Sequence, residues 1–214
     1  MTGRFQLISL TFRRTLPLFL ASVIVSWLIL PLIGVAELAS GDRDGVLANL
    51  IYGEQALLPV GGLLWAFAYL QMWIDSEGEE TMRACRRGKY VCAAELLMLT
   101  AGFAVMLLPV FAAGMLFFGP LWGEYARLTV QVFFFTGAFY LASILLHSVT
   151  MSGMLVLAYH LFSVFFCRSA EMQGYCLVRP DRMAGEVPVP YGPLILVGAV
   201  IYLIGMQIER KYIF

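Results

Sequence analysis

Two histidines, His147 and His160, stand thirteen residues apart in one of the most apolar parts of the chain. An imidazole can serve as a base, a proton relay or a metal ligand. A polar side chain at membrane depth usually faces a bundle interior or a cavity. His160 falls in the middle of an apolar run and carries two readings, an interhelical hydrogen bond or a substrate or proton site. Gln131 carries the same two. His147 lies at an expected chain reversal, where an interfacial histidine is ordinary. Glu95, one turn into another run, either snorkels to the interface or meets Arg87 or Lys89, and Glu37 lies just outside a run. The cysteines Cys85, Cys92, Cys167 and Cys176 show neither CxxC nor Cys/His metal spacing. No nucleophile–base pair or paired-carboxylate site can be assembled. The chain is therefore expected to hold no catalytic residue, no metal and no cofactor of its own.

The elements that position these residues follow from composition. Of 214 residues, 61% are hydrophobic and only 13% charged, and the mean hydropathy is +0.83. Soluble domains run nearer 45–50% apolar and about 25% charged. Disorder is excluded by the same apolar content. Fourteen basic residues against fourteen acidic ones leave no surplus charge for nucleic acid. The fold class is an all-α, polytopic membrane protein forming one transmembrane domain.

A helical span needs roughly 20 apolar residues to cross about 30 Å of hydrocarbon. Spans are predicted at about 16–36, 55–74 and 91–118. The run Leu128–Phe166 is 39 residues long, roughly 58 Å as one helix, so it must be two spans. The Ser, Thr and Gly of His147–Gly153 mark the reversal, which gives spans at 128–147 and 150–166. A sixth lies at 191–208. The first run is longer than a signal-peptide core and lacks a clear small-residue cleavage site, so it reads as a span.

Six spans put both termini on one side. If that side is cytoplasmic, the inner segments hold nine basic residues (Arg4, Arg13, Arg14, Arg83, Arg86, Arg87, Lys89, Arg210 and Lys211) and the outer ones five. The positive-inside rule then predicts N-in and C-in in a cell membrane. Cys167 and Cys176 fall in the outer loop 167–190, where a disulfide is permitted; two unpaired thiols are the alternative. Trp27, Trp65, Trp73, Trp122, Tyr175 and Tyr191 read partly as interfacial aromatics. Phe133–Phe135 and Phe165–Phe166 either face lipid or line a path for a greasy solute. Gly61–Gly62 and Ala112–Ala113–Gly114 would let helices approach closely.

The polar sequence left over is short. In residues 1–14, Phe5, Ile8 and Phe12 share one helical face, so an interfacial helix is expected there; a frayed terminus is the alternative. Residues 75–90 read DSEGEETMRACRRGKY. Ser76 and Glu79 have capping-box spacing. Glu77, Glu79 and Glu80 crowd the first turn, and Arg83, Arg86, Arg87 and Lys89 the last, matching the helix dipole. Gly88 is placed to end the helix. This is a sign-segregated cytoplasmic helix, either a solvated connector or a docking element for a soluble partner. Glu79–Glu80 before Arg83 falls one residue short of the EExxxR motif of CAAX-type membrane proteases. It also lies in a polar loop, with no FxxxH elsewhere.

Trp73–Leu97, WIDSEGEETMRACRRGKYVCAAELL, resembles the same region in the membrane subunits of type-2 ATP-binding-cassette exporters. Those permeases have an amphipathic helix before the first of six spans and a coupling helix between spans two and three. The resemblance implies that Glu77, Glu79, Glu80, Arg83, Arg86, Arg87 and Lys89 contact an ATP-binding-cassette ATPase subunit. It further implies that ATP and Mg bind that partner, and that two permease subunits, identical or different, pair within the lipid to form the path. No GxxxxGK[ST] phosphate loop occurs in this chain, in keeping with a separate ATPase. The alternative function is a small polytopic scaffold or assembly protein, or an unrecognised membrane enzyme.

Overall fold

The computed structural model describes residues 16–38, 43–74, 92–169, 171–178 and 191–212. The 1–14 segment and the helix expected over 75–90, with Glu77, Glu79, Glu80, Arg83, Arg86, Arg87 and Lys89, lie outside them. Among the described residues, every regular element is helical, and six helices are long and apolar enough to cross a membrane. The protein is a multi-pass membrane protein.

The first span comprises α1 (Leu16–Ile24), a π-helical stretch (Val25–Ile29) and α2 (Leu30–Leu38). The irregularity has local causes. Ser22 and Ser26 hydroxyls donate back to the Phe19 and Ser22 carbonyls at 2.8 and 2.7 Å, a habit that bends helices. The Leu30 N–H then bonds the Val25 carbonyl, five residues back. The remaining spans are α3 (Arg43–Ile74), α4 (Ala93–Phe118), α5 (Trp122–Leu146), α6 (Val149–Phe166) and α7 (Tyr191–Tyr212).

The expected reversal is tighter than the HSVTMSG run suggests. His147 adopts a left-handed conformation (φ 49°) and ends α5, and Ser148 caps α6 by accepting from the Met151 N–H at 3.3 Å. At the other end of the bundle, Gly119 (φ 87°) closes α4 before Pro120. We call the two ends the His147 end and the Pro120 end.

α5 is the hub, packed against α7, α3, α6 and α4. Its seam with α7 has a fixed register. Phe133 lies over Gly198, Tyr202 over Gly137 and Tyr140 over Gly205; a methyl added at those glycines would stand 2.7, 2.9 and 2.5 Å from the facing ring. Each aromatic knob therefore needs a glycine hole, which is how membrane helices gain close contact without a hydrophobic driving force. Both partners advance in the same chain direction, so α5 and α7 are parallel. Phe133, Tyr202 and Tyr140 stack along the seam at 5.2 and 5.8 Å.

Hydroxyls lock the seam to α4. Thr100 donates to the Leu96 carbonyl and approaches Thr136 at 3.2 Å, and Thr136 meets the Tyr202 hydroxyl at 2.9 Å. At the His147 end, the buried Glu209 carboxylate accepts from the Cys92 N–H at 3.1 and 3.2 Å and from the Tyr140 hydroxyl. Three helices are thereby clamped where α4 begins.

The aromatic expectations divide. Trp27 and Trp122 are exposed at the lipid-facing surface, but Trp65 and Trp73 are core residues. Trp65 donates to Ser22 at 2.7 Å and packs edge-on against Phe19 and Phe103. Phe135 is core and Phe165 is exposed. Glu95 does not snorkel: it is wholly buried.

Candidate functional site

Polar side chains converge inside the Pro120 end. Glu124 and Arg127, in the first two turns of α5, form an ion pair one turn apart. Both are buried, Arg127 to 1% exposure. An acid in a first turn suits the helix dipole, and an arginine three residues on reaches the same face. Glu54 of α3 stands within electrostatic reach of both and is only 8% exposed.

Deeper along the same helices, Gln131 donates to the Leu177 carbonyl at 2.8 Å and reaches Gln55 Oε1 at 3.5 Å. His160 of α6 bonds the Ala56 carbonyl through Nε2 at 2.8 Å. A carbonyl only accepts, so Nε2 carries the proton. Pro59 supplies no N–H to the Gln55 carbonyl, four residues before it and next to the carbonyl that His160 meets. His160 is wedged edge-on against Phe135 at 5.1 Å. Gln131 Oε1 and His160 Nδ1 keep unused hydrogen-bonding capacity among the described residues.

The loop after α6 closes this region. Ser163 accepts from the Leu177 and Val178 N–H groups at 2.6 and 3.1 Å, and Tyr159 donates to the Tyr175 carbonyl at 2.9 Å. Cys167 and Cys176 come together beneath it in a small buried cluster with Val164 and Val178. Cys167 Sγ is hydrogen-bonded to the Val164 carbonyl at 3.0 Å.

The sequence reading singled out Gln131 and His160, and the structure brings them to one buried region around Gln55 and Ala56. It missed Glu54, Glu124 and Arg127. Spans were drawn to start at Gln55 and Leu128, each one residue past a charge. Helices α3 and α5 begin at Arg43 and Trp122 instead, so the excluded charges are inside the spans. A criterion that rejects charges cannot see a pair that neutralises itself. The Glu124–Arg127 spacing was the available signal.

Beside the ionic cluster, an apolar cavity of about 310 Å³ lies between the first span, α3 and the end of α4. Trp27, Leu30, Pro109, Phe117 and Leu121 wall it, and Glu54 is the one ionisable residue among its lining. Trp27 is fixed there by donating to the Met106 carbonyl at 3.1 Å, in the turn before Pro109. A second cavity of about 310 Å³, between α1, α3 and α6, has no ionisable lining residue. No grouping of His, Cys, Asp and Glu among the described residues could hold a metal ion. No protein-family model, curated protein or solved structure matches the chain.

Proposed function

We propose that the chain is the membrane subunit of an exporter, paired with a second permease subunit and driven by a separate ATPase of the ATP-binding-cassette type that docks on residues 75–90. The observation that carries this reading is the clamp at the start of α4. The 75–90 segment joins α3 to α4, and the N–H of Cys92, the residue that opens α4, is held by Glu209, itself bonded by Tyr140. A push on that segment is delivered at once to α4, α5 and α7 rather than absorbed by one loose helix. The buried ionic cluster at the opposite end supports the reading, because ionisable groups inside a bundle mark solute or proton routes.

Co-purification of the chain from its native membrane tests this. An ATPase subunit carrying a phosphate loop is expected to accompany the wild-type protein. Reversing Arg86 and Arg87 together to Glu should release it, and substrate-stimulated ATP turnover should fall to background in proteoliposomes. Single exposed charges contribute only about 0–1 kcal/mol, so the double reversal is the informative variant. Retention of the ATPase at wild-type levels, with normal turnover, would refute the docking role.

A further inference from the structure

We infer that the cavity beside Glu54 binds a compact lipophilic ammonium ion entering from the lipid phase. Among the described residues at the Pro120 end, the buried ionisable groups of α3 and α5 are two carboxyls, Glu54 and Glu124, and one guanidinium, Arg127. Arg127 is ion-paired with Glu124, which leaves the Glu54 carboxyl as the surplus group, next to an otherwise apolar wall. An unbalanced carboxylate at such depth calls for a proton or a cation. Arg168, at the same end, lies over the Tyr52 ring at 5.3 Å. Tyr52 is two residues from Glu54 and so projects from nearly the opposite side of α3.

Size and polarity narrow the ligand. About 310 Å³ is at the small end of ligand pockets, and apolar walls around one acidic group fit an apolar body led by one positive head. A zwitterionic phospholipid fits poorly, because its phosphate would follow the ammonium into an apolar space already holding surplus negative charge. The rim is open to lipid: Phe117 is exposed and Trp27 is about half exposed. As the exported substrate this ligand rests on the exporter reading; its binding does not.

The test is equilibrium binding of radiolabelled decyltrimethylammonium to the purified full chain without ATPase, corrected for protein-free particles. Saturation at one site per chain is expected, with equal affinity in maltoside micelles and in phosphatidylcholine nanodiscs. Its uncharged carbon isostere should not compete. Glu54→Gln should weaken binding about tenfold or more, the scale of removing one partner of a buried charge pair. Ala113→Phe, which fills the rim and leaves Glu54 intact, should weaken it too. Binding unchanged in either variant overturns the site, as does effective competition by the neutral isostere. Loss of binding in nanodiscs alone would assign the pocket to a lipid headgroup and overturn the free-cation ligand. Failure here leaves the ATPase co-purification untouched, so the two readings fail separately.

Discussion

Arg127 shows why one residue in a membrane bundle can matter more than its neighbours suggest. Its guanidinium offsets Glu124 directly and Glu54 at longer range. Removing one partner of a buried ion pair costs about 3–5 kcal/mol, because the other charge stays buried and uncompensated. Arg127→Leu should therefore lower unfolding stability by that amount in steric-trap or denaturant measurements in micelles. Glu54→Gln removes the surplus charge and should leave stability unchanged within about 1 kcal/mol. Equal losses in both variants would mean that Glu54 and Arg127 do not share one charge balance. His160 acts on another principle, as a side-chain donor to the Ala56 carbonyl of α3.

At the scale of elements, the α5–α7 seam is the interface whose geometry allows least change. Gly205→Ala would place a methyl 2.5 Å from the Tyr140 ring. The ring would have to move and take the Glu209 bond with it. Overpacking of this kind costs about 1–3 kcal/mol, and the melting temperature should fall accordingly. Gly192→Ala, which meets nothing, is the matched control, and an equal fall in both would remove the seam from the account. Here the sequence was partly legible. Six spans and the His147 reversal follow from apolar run length and a Ser/Thr/Gly break, both local signals. Gly61–Gly62 do sit under Phe103 and Val132, whereas Ala112 and Ala113 are exposed. The matched pattern of Phe133, Gly137 and Tyr140 with Gly198, Tyr202 and Gly205 was not read. It belongs to two helices far apart in the chain, and neither half shows which partner it fits. The Glu54 cluster was unread for a similar reason, since its balance of charge exists only across α3 and α5.

For the whole molecule, orientation decides what the ionic cluster and its cavity face. We predict the His147 end to be cytoplasmic and the Pro120 end external. Single reporter cysteines at Ser76 and Gly174, in a background lacking the native cysteines, check this on intact cells. An impermeant maleimide should label the Gly174 reporter and spare the Ser76 reporter; the reverse pattern inverts the protein. The parallel seam also has a consequence for synthesis. α5 ends at Leu146 and α7 begins only at Tyr191, so α5 reaches the membrane well before the helix that fills its glycine and aromatic face. Glu209, which ties down the start of α4, emerges later still. A ribosome that stalls before α7 leaves a nascent bundle with an open seam and an unclamped α4. The quality-control machinery of the membrane could recognise that state and remove the unfinished chain.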